Sequence, residues 1–226
     1  MLYRLGMEPA LRDPDHADAP QALTEAALAS AVRELASRDA DLAGIVERYG
    51  PPPMWDRSPG FATLVHIILE QQVSLASAQA AFDRLRVAVQ PLTPAGFLSL
   101  DDRELLGIGF SRQKASYVRG LATALESGDL DLGLLDDLAD ETAHRLLVRV
   151  KGIGPWTAAI YQLMVLRRPD IWPAGDIALA SSMAEIKGLD KRPNALEMES
   201  LGLAWKPWRS VAARLFWHHY LSRRAG

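Results

Sequence analysis

The residues Val150-Lys151-Gly152-Ile153-Gly154-Pro155-Trp156-Thr157 constrain this chain more than any others. Apolar positions recur at helical spacing before and after them, so two helices must meet here across two glycines. Glycine at 152 and 154 permits a tight turn with uncovered backbone amides. Pro155 suits the first turn of the second helix, where no amide is needed. A helix start of this kind carries open N–H groups and the positive end of the helix dipole, and it attracts an anion such as a phosphate. Gly-x-Gly turns also join helices that never meet an anion, so the neighbouring residues have to decide between the two readings.

Charge bears on that choice. The chain of 226 residues has a net charge of −3, yet from Arg145 onward thirteen Lys and Arg stand against six Asp and Glu. The half holding the glycine turn is therefore basic and the first half acidic, which suits a polyanion-binding face but equally two solvated faces that differ. There is no cysteine, so disulfides, thiolate zinc sites and cysteine-held iron–sulfur clusters are excluded; no cofactor and no side-chain metal site is assigned, and the sequence leaves open an ion held by carbonyls of the glycine turn. Charges at Arg4, Glu8, Arg12, Asp13, Asp15 and Asp18 interrupt any signal-peptide core, and no later run is apolar for long enough to span a bilayer. A cytoplasmic protein with no membrane partner is expected. Pro9, Pro14 and Pro20 break any regular run in residues 1–20, which read as an irregular arm or an edge element.

The remaining pattern is helical. Thr24, Ser74 and Ser111 read as N-caps of helices, and a second helix begins about Asp39 and is ended by Gly50 with Pro51-Pro52-Pro53. The stretch from Phe61 to Leu69 is apolar on nearly every side, as a central helix would be. It runs into Gln71-Gln72-Val73-Ser74, whose amides suit a polar turn between helices. Leu106-Gly107-Ile108-Gly109 echoes the later turn, either as a second helix–Gly-x-Gly–helix unit or by coincidence. No segment alternates with period two, so an all-α fold is expected. Beyond the hairpin, Trp172-Pro173-Ala174-Gly175-Asp176 delivers a carboxylate to a helix start, and four of the six tryptophans lie from Trp172 onward. Aromatics near a carboxylate suggest stacking walls, although a packed terminal helix would carry them too.

With these motifs in order, from Gln71-Gln72-Val73-Ser74 to Trp205-Lys206-Pro207-Trp208-Arg209-Ser210, the chain resembles the helix-hairpin-helix DNA glycosylase superfamily, and within it the 3-methyladenine DNA glycosylase II branch. The resemblance implies two helical lobes with a DNA-binding cleft between them, residues 1–61 plus 167–226 forming one and 62–166 the other. It implies a monomer acting on double-stranded DNA that contains alkylated bases. Asp176 falls at the family's catalytic aspartate, and Trp156, Ile160, Tyr161 and Trp217 fall in its base pocket. Gln71, Gln72, Val73, Arg149, Lys151, Gly152, Gly154, Thr157 and Arg209 fall at DNA-contacting positions, with Gln72 or Val73 in the wedge region that fills the gap left by a flipped base. Bifunctional members carry lysine where this chain has Trp156, because Schiff-base chemistry needs an amine. The resemblance thus implies a monofunctional, water-using enzyme; a bifunctional lyase or a non-enzymatic DNA-binding scaffold is the alternative. The chain departs from the branch in having Gln72 where leucine is usual and Ile160 in place of an aromatic.

Overall fold

The computed structural model describes residues 21–225; the arm or edge element expected over residues 1–20 lies outside them. The described residues form helices joined by short loops and no strand, in agreement with the all-α expectation. In chain order they are α1 (Glu25–Arg38), α2 (Ala40–Tyr49), α3 (Phe61–Glu70), α4 (Leu75–Ala88), α5 (Pro94–Leu98), α6 (Asp102–Ile108), α7 (Arg112–Ser127), α8 (Asp140–Val148), α9 (Pro155–Met164), α10 (Ile177–Ile186), α11 (Ala195–Gly202) and α12 (Arg209–Ala225). Local chemistry sets most of these starts. Thr24 accepts from Ala27 N, Asp39 from Asp41 N and Leu42 N, Ser74 from Ser77 N, and Ser111 from Lys114 N.

Two groups of helices form. In one, α12 lies against α1, α2 and α10; in the other, α3 packs on α4, α7 and α9, while α5 covers α7 and α8 pairs with α9. Phe61, Leu64, Val65, Ile67, Ile68 and Leu69 of α3 are all buried, which makes α3 the central helix that its sequence announced. Arg214 of α12 is fully buried between the groups and donates to the carbonyls of Met54, Ser210 and Leu163 at 2.7, 3.1 and 2.9 Å. A buried guanidinium is tolerated where its N–H groups are satisfied, and here one side chain crosslinks a loop, α9 and α12. Its burial lowers its pKa to about 10, so it remains charged at neutral pH.

The echoed glycines differ in use. Gly109 has the left-handed conformation (φ 111°) and ends α6, whereas in the later turn the left-handed residue is the first glycine, Gly152 (φ 99°). Both sites join helices, but the turns are not superimposable repeats of one backbone.

Candidate active site

The hairpin is seated on α7. A Cβ on Gly152 would lie 2.3 Å from Cβ and Cγ of Tyr117, so this position excludes a side chain by space as well as by its φ angle. Gly154 then serves as N-cap of α9 with extended backbone (φ −83°, ψ 175°), and no side chain caps that helix. The first-turn amides of α9 therefore have no side-chain cap. Arg149 and Lys151, just before the glycines, are exposed.

Asp176 is presented by a tight loop. Ala174 N donates to Trp172 O, Asp176 N to Pro173 O, and Gly175 between them takes φ 95°. The carboxylate then meets three N–H donors. Trp156 Nε1 reaches Oδ2 at 2.9 Å, Trp217 Nε1 reaches Oδ1 at 3.1 Å, and Leu179 N, in the first turn of α10, reaches Oδ1 at 2.8 Å. Three donors suit an acceptor-only, ionised carboxylate and fix its plane. The two tryptophans therefore hold the carboxylate by their N–H edges, so stacking is confined to their ring faces. Asp176 is partly exposed, and Ile177 beside it is 63% exposed, so the acid is open to solvent at one side.

Other expected site residues are placed differently. Ile160 follows Trp156 by one turn on the same face of α9 and is 3% exposed. Tyr161 is rotated away from that face and fully buried; its hydroxyl accepts from Gly60 N at 3.4 Å, so it stands in the core and does not line an open pocket. Thr157 is also buried, and Gln71 turns inward: its Nε2 donates to Thr157 Oγ1 at 2.9 Å and to Gly152 O at 3.0 Å. These two side chains contact each other instead of facing outward. Gln72 and Val73 are exposed, and Gln72 has φ 57°, which projects it from the turn. Arg209 is locked in a fork with Asp170, Nε to Oδ1 and Nη2 to Oδ2, both at 2.9 Å. That pair holds the start of α12 against the loop after α9 and leaves Arg209 a structural cation. Of the later tryptophans, Trp172 and Trp205 pack with each other and Trp205 with Phe216, and Trp208 donates to Glu34; only Trp217 of these four reaches Asp176.

The sequence reading passed over Lys114. Its Nζ donates to Leu69 O at 2.6 Å and Gln71 O at 2.8 Å, capping the end of α3 from α7. Arg57 likewise forks onto Glu70, the last residue of α3. Neither contact had a local signal, since the partners come from different elements.

A glycine turn between two helices, close in space to a carboxylate held by two indoles, defines a helix-hairpin-helix protein. The chain belongs to the HhH-GPD superfamily of base excision DNA repair proteins, whose family model matches residues 65–209. It is 28% identical over 179 residues to a putative DNA-3-methyladenine glycosylase of Bacillus subtilis, covering 76% of this chain and 62% of that protein. The chain thus spans about three-fifths of the length of that curated relative. A crystal structure of a DNA-3-methyladenine glycosidase from Bacillus halodurans is 28% identical, with a TM-score of 0.70 over 86% of this chain and 91% of that one. The 3-methyladenine DNA glycosylase Mag1 of Schizosaccharomyces pombe, solved with abasic DNA, has the same fold, with a TM-score of 0.77 and 24% identity over 83% of this chain and 95% of that one.

Proposed function

We propose that the chain is a monofunctional DNA glycosylase that releases alkylated bases of the 3-methyladenine kind from double-stranded DNA, acting as a monomer. The observation that carries this reading is the carboxylate of Asp176 fixed between Trp156 and Trp217. As the C1′–N bond breaks, its electrons leave with the base and positive charge develops on the sugar. A fixed carboxylate stabilises that charge, and water then adds to C1′. A base alkylated on a ring nitrogen is already cationic and departs neutral, so no separate general acid is required. The indole faces offer such a cation roughly 0.5–2 kcal/mol of attraction.

In this reading the first-turn amides of α9, with Arg149 and Lys151, grip a backbone phosphate, and Gln72 and Val73 stand at the gap left by the flipped nucleotide. The lobes divide near residues 61 and 166. Trp156 stands where lyase chemistry would need an amine, so the sugar is left intact as an abasic site.

The test is release of free purines from methylated duplex DNA by the wild type and by Asp176→Asn. Asparagine is as good an N-cap as aspartate, so α10 keeps its start while the negative charge is lost. Release by the wild type, lost in the variant with DNA binding kept, supports the reading. Asp176 is also an ordinary N-cap to Leu179, which is all that a DNA-binding scaffold would need of it. Binding without release by the wild type selects that scaffold instead, and a borohydride-trapped adduct would mean lyase chemistry.

A further inference from the structure

Two turns on the exposed side of α7 are held together by one small network. Lys114 and Tyr117 lie three residues apart, hence on one face of that helix. Lys114 takes the carbonyls of Leu69 and Gln71, fixing the end of α3, and Tyr117 forms the seat for Gly152. Gln71 closes the circuit by donating from its side chain to Gly152 O and Thr157 Oγ1. Directly beyond Gln71 the chain turns outward through Gln72 at positive φ, exposing Val73 (46%) and Leu75 (59%). Exposed apolar side chains on a turn braced from behind are suited to push into a stack of bases, because the reaction force passes into α7 and the hairpin.

We propose that Gln71 and Lys114 are positioning residues that couple the phosphate grip of the hairpin to the outward turn at Gln72, so that gripping the backbone sets the turn in register to displace a base. The inference rests on the glycosylase reading above. Neither residue touches the substrate. Each acts through the turn, and a loss of either should be felt only when a paired base has to be driven out of the helix.

That expectation separates positioning from general stability. Single-turnover base release is measured for wild type, Gln71→Met and Lys114→Met on two duplexes. In one the lesion is paired; in the other it lies opposite an abasic site, so no base pair has to be broken to release it. The paired duplex also carries 2-aminopurine beside the lesion to report flipping. The paired duplex should show a loss of about 10–100-fold in rate, with a matching loss of the fluorescence rise, as misplacement of a working group produces. The unpaired duplex should be cleaved within a few-fold of the wild-type rate, and affinity for undamaged DNA should persist. Equal losses on both duplexes, or none on either, overturn the proposal while leaving the glycosylase reading intact. A wild type that releases no base from either duplex overturns both. Gln71→Glu, which keeps the volume but removes the Nε2 donor to both Gly152 O and Thr157 Oγ1, should behave as Gln71→Met; if it behaves as wild type, the coupling through Gly152 is refuted.

Discussion

Trp156 and Asp176, twenty residues apart in sequence, share a 2.9 Å hydrogen bond from indole Nε1 to carboxylate Oδ2. The residue that argues against an amine nucleophile is therefore also a residue that aims the acid. Trp217 supplies the matching bond to Oδ1 from the last helix. The site depends on three segments meeting: the first turn of α9, the loop before α10, and the middle of α12.

Trp156→Phe keeps most of the ring and removes one donor. Since a hydrogen bond to a charged group contributes roughly 1.5–3 kcal/mol and Asp176 retains two others, single-turnover release should fall about tenfold or somewhat more. DNA affinity should hold, because the α9 amides are unchanged. An unaltered rate would mean that the bond does not orient the carboxylate.

Gly152→Ala places a methyl group 2.3 Å from Tyr117 in a left-handed backbone conformation. Strain and overpacking together should cost roughly 2–3 kcal/mol. Urea denaturation should show the loss, and salt-dependent DNA binding should weaken with it. Alanine at Gly154, with ordinary φ and open space around it, should cost far less.

Asp39 predicts the acid side of the stability curve. Burial raises its pKa, but hydrogen bonds from Lys187 and Trp205 outweigh that and bring it below the ordinary 3.8. A carboxyl depressed in the folded state stabilises above its unfolded value and loses that contribution as pH falls through the folded one. Asp39→Asn keeps a cap for α2 but loses the charge, so it should be less stable at pH 7 by roughly 1.5–3 kcal/mol. The gap to wild type should narrow as pH is taken below 3.8, read from urea midpoints at each pH.

Arg214→Met fills similar space but leaves the carbonyls of Met54, Ser210 and Leu163 without their donor. Each buried acceptor left without its donor typically costs about 1–3 kcal/mol. The melting temperature should drop sharply, although this side chain touches neither Asp176 nor the hairpin. A stable variant would show that the crosslink between the helix groups is dispensable.

The particular successes of sequence reading share a cause. Thr24, Ser74 and Ser111 cap the helices expected of them, the second helix starts next to Asp39, and the tight turn expected at the glycines is made with Gly152 at positive φ. Each depends on residues within a few positions. Gln71 and Gln72 illustrate the limit. Both readings, a polar turn and a DNA-facing turn, fit the string, and the structure divides them by turning Gln71 inward and Gln72 outward. Arg209, which the resemblance places at a DNA-contacting position, is paired with Asp170, 39 residues away, a partner that no local pattern names.

The sequence by itself determined the helices, the glycine hairpin, the carboxylate loop and the absence of an amine at position 156, because those follow from local backbone preference and residue chemistry. Only the tertiary structure decided that Trp156 and Trp217 clasp Asp176, that Tyr161 belongs to the core, and that Lys114 and Gln71 brace the outward turn. Those partners are 20 to 101 residues apart, and no local propensity encodes which of many polar side chains meet once the helices have packed.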